Sequence, residues 1–386
     1  MRILIIHNFY QQPGGEDVVF EQERVLLSTT EEVFTLVFQN RKGWRGAWQT
    51  LWLPWNVWAG RRIRKAIERY QPDLVHIHNL HYAVGPLAIR IASRLGVPVV
   101  MTLHNYRLLC PSATLFHQGQ VFTASLHTNF PWEAVRKGVH SHSVVKTAWL
   151  AFSNWLHRKV GTWRMVDRYI TLTDFSKQLF VNSSLGVAAE KFITKPNFVV
   201  DGPESSASRG DHFLFIGRLS AEKGVQVLLD AFTRTDHQLR IAGDGPLREQ
   251  VIAAAQASPN ITYLGNLSRT AIGHQLAECT ALLFPSIWFE GLPMTLLEAF
   301  AAGTPVIVSD LGAMRSLVHE GQNGWRFAAN DATALRQKVA EWLRTDRPYK
   351  MQISRNARGE YEQYYTASQN KKLLLTCYHA TKGTAL

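Results

Sequence analysis

The sequence has few cysteines. Only three of its 386 residues are cysteine, Cys110, Cys279 and Cys377, and no two of them form a CxxC pair. Three widely separated thiols favour neither a disulfide framework nor a zinc site. A small secreted domain held by disulfides is therefore excluded, and we expect a protein of the reducing cytoplasm.

Long hydrophobic runs are also absent. Apolar residues make up 46% of the chain, yet no stretch approaches the ~18 consecutive apolar residues that span a bilayer. The apolar run at the N-terminus, Ile3 to Ile6, is too short for a signal peptide, so we expect the chain to begin directly with a strand. At this length, two domains are predicted.

Several well-known ligand motifs are missing. No GxxxxGK[ST] motif occurs, and in the glycine-rich segment of Gly243 and Gly245 the third glycine of GxGxxG is replaced by Arg248. A P-loop is thus excluded and a dinucleotide site is only weakly supported. His76 and His78 form an H-x-H pair, but no acidic or cysteine partner in the sequence completes a ligand set, so we predict no metal.

Acidic residues are scarce in one half of the chain. Residues 1–200 contain 23 Lys and Arg against 12 Asp and Glu, which gives +11, whereas the remainder contains 19 against 18, which gives +1. A basic domain of this kind predicts an anionic partner, which leaves nucleic acid, an anionic membrane surface and a phosphorylated acceptor open.

Short β-rich runs alternate with helical patterns through both halves, which predicts an α/β fold with two Rossmann-like domains. We assign residues 1–200 to an N-terminal domain and 201–365 to a C-terminal domain. A final helix over 366–386 is expected to pack back toward the first domain. Residues 197–211 are interpreted as the linker because they are rich in Pro, Gly and Ser. Within 106–165 only one helix, Val144 to Val160, is predicted.

The segment from Pro285 to Ser309 is the most informative. It predicts the end of a strand, a loop, a helix beginning at Pro293 and a further strand. The loop would point backbone N–H groups outward from the helix N-terminus, which is an anion site. Glu290 and Glu298 lie eight residues apart and could accept hydrogen bonds from sugar hydroxyls, although two solvated helix carboxylates are the alternative.

Two cations fall in the first strand-to-helix turn of the C-terminal domain. Arg218 follows Gly217, and Lys223 lies five residues later. Fixed cations at such a turn suit a diphosphate that gains charge as it leaves. A surface arginine and a capping lysine are the competing interpretation.

The N-terminal domain offers two further candidates. Gly14 and Gly15 follow the first predicted strand and would let the loop approach phosphate or sugar closely, although a plain tight turn is the alternative. His104 lies at the carboxyl end of a predicted strand, where polar residues are often functional.

Taken together, these segments resemble glycosyltransferase family 4, the retaining family with the GT-B fold, in which two Rossmann-like domains face each other across a cleft. The Gly-Gly loop and the segment after His104 are similar to bacterial enzymes that build capsular, exopolysaccharide or O-antigen chains. Many relatives have His-Asp where this sequence has His104-Asn105, so the resemblance assigns no role to a carboxylate at that position.

The resemblance implies a role for each matching position. His104, Arg218, Lys223 and Glu290 would be the catalytic residues: Glu290 would bind the donor sugar, Arg218 and Lys223 the diphosphate, and His104 would touch the sugar near the reacting centre. Glu298 would bind the ribose. The donor site would also include Gly14, Gly15, Gly217, Gly243, Tyr263 near the base, and the amides of Gly291, Leu292, Pro293 and Met294.

The family transfers sugars from nucleotide-diphosphate sugars with retention and without a metal or other cofactor. The resemblance therefore implies transfer to a lipid-linked or oligosaccharide acceptor in the synthesis of bacterial surface polysaccharide. A GT-B epimerase or phosphorylase and a non-catalytic nucleotide-sugar binding protein are the alternatives. The sugar, base, linkage and acceptor stay open.

Residues 41–65 combine seven basic residues with five tryptophans and contain no acidic residue. Aromatic and cationic side chains suit an anionic lipid surface, so we expect peripheral docking on the cytoplasmic face of a membrane. A tryptophan core with solvated cations is the main rival. No nucleic-acid-binding module occurs, and nucleic acid is not expected. The residues expected at this surface are Trp44, Trp48, Trp52, Arg61, Arg62, Arg64 and Lys65.

Overall fold

The structure is a computed structural model that describes residues 1–11, 14–202, 209–233 and 235–383. The chain divides into two compact units. The N-terminal unit comprises Met1–Leu115, Phe122–Asn197 and Asn370–Leu386, and the C-terminal unit comprises Phe116–Val121 and Phe198–Gln369. Of the residues interpreted as a linker, 203–208 lie outside the described ones, as do 384–386 of the expected final helix.

The N-terminal unit is built on one parallel sheet with strand order β2-β1-β3-β4-β7-β8. The short β5–β6 hairpin falls with the C-terminal unit. In chain order the elements are β1 (Arg2–Phe9), α1 (Gly15–Leu27), β2 (Glu32–Gln39), α2 (Gly43–Trp52), α3 (Val57–Tyr70), β3 (Leu74–Ile77), α4 (Leu87–Arg94), β4 (Val99–Leu103), β5 (Phe116–His117), β6 (Gln120–Val121), α5 (Trp132–Lys137), α6 (Val144–Lys159), β7 (Arg168–Thr171), α7 (Asp174–Val181) and β8 (Phe192–Thr194).

The C-terminal unit contains a second parallel sheet, with strand order β11-β10-β9-β12-β13-β14. Its elements, followed by the final helix of the chain, are β9 (Phe213–Ile216), α8 (Val225–Phe232), β10 (Leu239–Ala242), α9 (Arg248–Ala257), β11 (Ile261–Gly265), α10 (Arg269–Glu278), β12 (Ala281–Phe284), α11 (Met294–Ala301), β13 (Val306–Ser309), α12 (Gly312–Leu317), β14 (Gly324–Phe327), α13 (Ala332–Arg344), α14 (Arg347–Tyr364) and α15 (Ala367–Gly383).

The central strands explain why the α/β prediction is confirmed. Every residue of β3, β4, β9 and β12 is buried, because helices cover both faces of a parallel sheet. Such strands are short continuous apolar runs, which the sequence shows clearly. In each sheet the strand order reverses beside the first strand, between β1 and β3 and between β9 and β12. Ligands of open α/β sheets bind at such switch points, at the carboxyl ends of the strands.

Two sheet-edge strands were not predicted. The strand β8 has three residues and only Phe192 of them is buried, while β14 begins with a glycine and carries Arg326. Neither strand has the buried apolar run or the clean alternation that identifies a strand in a sequence. The prediction of one helix near Val144 is confirmed by α6, and the same stretch also contains α5 and the hairpin.

The final helix contributes to the core of the N-terminal unit. Leu374, Cys377 and Tyr378 are buried in one apolar cluster with Ile3 and Ile5 of β1. Burial of these side chains ties α15 to the sheet. In the described part of the chain, none of the helices has the length and apolar character that a bilayer span requires.

Candidate active site

The carboxyl ends of β9 and β12 meet at the switch point of the C-terminal sheet. Gly224, at the end of the turn after β9, has a φ of +72°, and a Cβ there would stand 1.8 Å from the carbonyl oxygen of Pro285. The Ile287 N–H donates to the Glu222 carbonyl at 2.9 Å. Only glycine fits this approach. The two turns that the sequence singled out are therefore in backbone contact.

Lys223 and Glu290 form an ion pair across this contact. The Lys223 Nζ lies 2.7 Å from Glu290 Oε1, and the two side chains are 21% and 7% exposed. The Ser286 hydroxyl donates to the same carboxylate oxygen at 2.7 Å. The ammonium also lies 5.4 Å from the centre of the Trp288 ring. Two side chains 67 positions apart in the chain thus hold each other in place.

Arg218 differs from Lys223 because its side chain is exposed. In the described part of the chain it makes no ion pair and no side-chain hydrogen bond. Its backbone is fixed on both sides: the Gly217 N–H donates to Ala242 O at 3.1 Å and the Leu219 N–H to Asp244 O at 2.9 Å. A guanidinium on a fixed backbone in solvent is suited to bind an anionic ligand bidentately.

The glycine-rich turn after β10 completes this edge of the sheet. Gly243 has a φ of +137°, and a Cβ there would stand 1.9 Å from the carbonyl oxygen of Gly217. Gly245 has a φ of +157° and approaches the Leu219 backbone in the same way. Tyr263, from β11, donates its hydroxyl to the Gly243 carbonyl at 2.9 Å. The structure thus brings Gly217, Arg218, Lys223, Gly243, Tyr263 and Glu290 to one edge.

The helix α11 begins at Met294, one residue later than predicted, and Pro293 is its N-cap. Gly291, Leu292 and Met294 line its N-terminal approach, but Pro293 has no N–H and cannot contribute an amide to a phosphate cradle. This corrects the expectation of a continuous row of four amides. Glu298 lies in the second turn, and burial raises the pKa of its carboxyl although Arg269 acts in the opposite direction.

At the carboxyl edge of the N-terminal sheet, Gly14 and Gly15 stand at the start of α1, and among the described residues a Cβ on either would meet nothing within 4 Å. Neither glycine is required by the local packing. The carboxylate of the next residue, Glu16, accepts from the Asn79 amide at 3.1 Å and from the Asn105 amide at 3.4 Å. Burial raises the pKa of Glu16 to about 7. Glu16 is not among the residues predicted from the sequence, and Asn105 is noted there only as the residue that replaces the aspartate of many relatives.

His104 follows β4, is half-buried, and lies beside the buried His78 and His76. Its Nε2 lies 3.1 Å from Nδ1 of His78, and burial lowers the pKa of His104 to about 3. Glu23 is fully buried beside His78 and is bonded to the buried Lys195. The interpretation that no acidic residue accompanies the histidines is wrong, because the ligand atoms of Glu23, His76 and His78 all lie within 4.8 Å of one another.

Protein groups nevertheless already hold one oxygen of Glu23 and both ring nitrogens of His76. The Lys195 ammonium donates a hydrogen bond to Glu23 Oε1. Both ring nitrogens of His76 have partners, since Nε2 lies 2.8 Å from the Thr102 hydroxyl and Nδ1 2.7 Å from the Tyr378 hydroxyl. Binding of a metal there would require these bonds to break. Metal independence therefore stays a prediction.

The basic, tryptophan-rich segment forms two helices on the surface. The helix α2 has no buried residue, and Trp44 and Trp48 are 76% and 54% exposed. The two helices are separated at Pro54, because Leu53–Trp55 is a short 3-10 helix. On α3, Trp58, Arg61, Arg62 and Lys65 share one face at helical spacing. The rival interpretation of a tryptophan core is wrong for Trp44 and Trp48.

Two family models match successive parts of the chain. The model described as glycosyltransferase family 4 matches residues 28–201, and the model described as glycosyl transferases group 1 matches residues 203–360. The chain belongs to glycosyltransferase family 4. The group 1 match contains every candidate residue of the C-terminal unit, and His104 falls in the other match.

Named relatives of this family 4 chain are similar over part of their length. D-rhamnosyltransferase WbpZ of Pseudomonas aeruginosa is 33% identical over 40% of this chain and 42% of that protein. Phosphatidyl-myo-inositol mannosyltransferase of Mycobacterium leprae is 31% identical over 45% of this chain and 48% of that protein. The chain thus spans less than half the length of these two relatives.

A solved structure is similar over nearly the whole fold of this family 4 chain. It is Anabaena Alr3699/HepE in complex with UDP and glucose, with a TM-score of 0.65 at 17% identity over 97% of this chain and 99% of that chain. At this identity the likeness concerns the fold, and it agrees with the GT-B expectation of two Rossmann-like domains.

Proposed function

We propose that this protein is a retaining, metal-independent glycosyltransferase. It would transfer a sugar from a nucleotide-diphosphate sugar to a lipid-linked glycan acceptor during the synthesis of a bacterial surface polysaccharide. Membership of family 4 supports the reaction class. The relatives WbpZ and the mycobacterial mannosyltransferase carry the names of sugar transferases, one of them with a lipid in its name.

The observation that carries the proposal is the convergence of two turns at the switch point between β9 and β12. Gly224 packs on Pro285, and Lys223 is held against Glu290 at 2.7 Å. The same edge presents the exposed Arg218 and the N-terminus of α11. Cations and a helix N-terminus favour a diphosphate, and a neighbouring carboxylate favours sugar hydroxyls.

The chemistry follows from the charge that develops on the leaving group. As the bond between the anomeric carbon and the diphosphate oxygen breaks, negative charge grows on that oxygen. Arg218, Lys223 and the helix N-terminus would stabilise this charge where it appears. The acceptor hydroxyl would attack from the same face, and its proton would pass to the departing diphosphate. The configuration would then be retained. We extend the proposal to His104, which the family resemblance assigns to the donor sugar.

The test is a screen of UDP-, GDP- and ADP-sugars for binding and for transfer or hydrolysis. A cognate donor should raise the melting temperature when it is present well above its Kd. With that donor, Arg218→Ala or Lys223→Ala should lower kcat on the order of 10²-fold or more, and activity should persist in EDTA. Arg355→Ala, which removes an exposed arginine from α14, should leave turnover near normal.

Near-normal turnover in both the Arg218 and the Lys223 variants would exclude their proposed role. Binding of a donor with no detectable transfer or hydrolysis would favour a non-catalytic nucleotide-sugar binding protein. Loss of activity in EDTA that returns with a divalent cation would remove metal independence. The anomeric configuration of the product decides retention.

We also propose that α2 and α3 dock the enzyme on the cytoplasmic face of a membrane. Trp44 and Trp48 expose their rings, and Arg61, Arg62 and Lys65 expose their charges. Indole rings and cations together favour the interface of an anionic bilayer. This position would bring the enzyme to a lipid-linked acceptor.

Sedimentation with liposomes containing anionic phospholipid measures this binding. The double variant Trp44→Ala/Trp48→Ala should lower the bound fraction roughly 10-fold, because two exposed aromatic side chains no longer enter the interface. Met351→Ala, which removes an exposed apolar side chain from α14, is the control and should bind normally. Failure of the unmodified protein to sediment at moderate salt would exclude docking.

A further inference from the structure

The histidine cluster of the N-terminal unit contains a chain of groups that leads from a buried carboxylate to His104. Glu23, from α1, is completely buried, and Lys195, which follows β8, is 1% exposed. The Lys195 ammonium is bonded to Glu23 Oε1. A buried carboxylate stays ionised at low cost only when such a partner compensates its charge. The ion pair therefore fixes the other carboxylate oxygen of Glu23, Oε2, in the interior of the N-terminal unit.

That oxygen faces His78. Glu23 Oε2 lies 3.5 Å from Nε2 of the ring, and in the described part of the chain neither atom makes a hydrogen bond. A bare ring nitrogen turned toward a carboxylate oxygen would set two lone pairs against each other. An N–H turned toward it is attractive, so the proton of His78 belongs on Nε2.

The tautomer of His78 then determines the tautomer of His104. Burial keeps the pKa of His78 well below the ordinary value, so its ring is neutral and carries one proton. With that proton on Nε2, Nδ1 is an acceptor. The atom 3.1 Å from it is Nε2 of His104, which must therefore be the donor. His104 is neutral as well, because burial lowers its pKa to about 3. Its Nδ1 is left without a proton.

We propose that His78 is a positioning residue for His104, and that a carboxylate–histidine–histidine relay fixes the proton of His104 on Nε2. His104 then offers Nδ1 as a hydrogen-bond acceptor and not as a donor. The partner that suits an acceptor of this kind is a sugar hydroxyl, and this last step rests on the proposed function. The relay itself does not depend on it.

The relay is distinct from the other polar contacts of the cluster. His76 lies on β3, which ends just before His78. Its partners are Thr102 and Tyr378, and it is not part of the chain that leads to His104. Glu23, His78, His104 and Lys195 come from different elements of the N-terminal unit, so the relay needs the whole unit to be folded. Its effect on His104 is a choice between two tautomers, and that choice can be measured directly.

The experiment is two-bond ¹H–¹⁵N correlation spectroscopy of the full-length protein labelled with ¹⁵N-histidine, without any donor. The chain has 15 histidines, so the signals of the two rings are assigned by their loss in His104→Ala and His78→Asn. We expect a proton on Nε2 of both His78 and His104. A proton on Nδ1 of His104, or a doubly protonated ring at neutral pH, would overturn the relay.

Variants of His78 give an independent kinetic readout. His78→Asn keeps an acceptor oxygen near the position of Nδ1, whereas His78→Leu removes it at similar size. We expect His78→Leu to lower kcat on the order of 10²-fold with little change in the donor KM, because a positioned acceptor is lost and not a binding surface. His78→Asn should recover most of that loss and keep His104 protonated on Nε2.

The two arms separate this inference from the proposed function. If no donor is turned over but the spectra show the Nε2 tautomer, the relay stands and the glycosyltransferase assignment fails. If turnover is found and His78→Leu and His78→Asn are equally impaired, the acceptor at position 78 is not the cause and the positioning role fails. A melting curve of each variant identifies any that does not fold, and the spectrum of the unmodified protein then decides.

Discussion

The two sheets present their carboxyl ends in different ways. In the C-terminal unit the edge is built from backbone: Gly224 packs on Pro285 and Gly243 on Gly217, with Cβ positions 1.8 Å and 1.9 Å from carbonyl oxygens. In the N-terminal unit the corresponding edge is built from buried side chains, among them His78 and Glu23. The C-terminal edge is held together by backbone contacts that only glycine permits, whereas the N-terminal edge is held together by hydrogen bonds between side chains.

Because of this difference, the two edges are sensitive to different substitutions and suit different functions. A backbone scaffold tolerates no added atom, but it leaves cations such as Arg218 in solvent, ready for an anionic ligand. A buried polar network tolerates no lost partner, and it sets the protonation of groups such as His104 and Glu16. Substitutions that add a methyl group test the first kind of edge, and substitutions that remove a charge test the second.

The largest effect is expected for Gly224→Ala. The φ of +72° disfavours any residue with a Cβ, and the Cβ would overlap the Pro285 carbonyl at 1.8 Å. The free energy of unfolding should fall by about 3 kcal/mol or more, because backbone strain adds to a clash that can be relieved only by separating the two turns. Chemical denaturation measures the loss, and the thermal shift caused by the donor should disappear.

Gly265→Ala is the matched control in the same unit. Its φ is +69°, but a Cβ there meets nothing within 4 Å, so the substitution should cost only about 1–2 kcal/mol from backbone strain. If the two variants are equally stable, the close approach of the turns does not hold this edge together, and the contrast with the N-terminal unit fails.

The backbone-built edge was largely predictable from sequence, and the side-chain network was not. The candidate residues from Gly217 to Glu290 belong to local motifs, each carried by a short strand, a glycine and a helix, so spacing alone places them at one edge. Glu23 and Lys195 lie 172 positions apart, and Tyr378 reaches His76 across 302 positions. No local pattern marks such partners, and a charged residue in a helix such as α1 is ordinarily exposed.

Two residues of the C-terminal edge were not predicted, and the reason is again that their role depends on a tertiary contact. Ser286, which orients Glu290, and Gly224, which packs on Pro285, lie inside motifs that we had selected, yet we did not single them out. Their importance arises from the contact between two turns and not from either turn alone. The sequence thus predicts that the functional residues lie at the carboxyl ends of strands. Which side chains pair with one another there is seen only in the structure.

A pH-dependent difference is expected for Glu16→Gln in the N-terminal unit. Burial raises the pKa of Glu16 from 4.5 to about 7 in the folded protein. A carboxyl whose folded pKa exceeds its unfolded pKa contributes stability that is present below about pH 4.5 and is lost as the pH rises through about 7. The variant lacks this loss. The free energy of unfolding of the variant, relative to that of the unmodified protein, should therefore rise by about 3 kcal/mol across that range.

Denaturation series at several pH values measure this gain, and Glu21→Gln is the control. Glu21 is exposed on the same helix and pairs with Arg24 at 2.7 Å, so its replacement should shift stability by only a few tenths of a kcal/mol at every pH. A constant difference between Glu16→Gln and the unmodified protein from acid to alkaline pH would show that Glu16 titrates as an ordinary exposed carboxyl.

The smallest effect is expected at Glu298, where the backbone-built edge carries its own perturbed carboxyl. Burial raises the pKa of Glu298 above 4.5, so lowering the pH protonates it earlier than an exposed glutamate. A carboxylate accepts hydrogen bonds from ribose hydroxyls better than a carboxylic acid does. Donor affinity should therefore weaken by up to roughly 10-fold as the pH falls through this pKa, and calorimetry should detect proton release when the donor binds.

Glu298→Gln should bind more weakly and lose this dependence, whereas Glu278→Gln, at an exposed position on α10, should keep it. If the unmodified protein binds its donor with the same affinity across the acidic range, Glu298 does not contact the ligand, and the C-terminal edge relies on its backbone and cations alone.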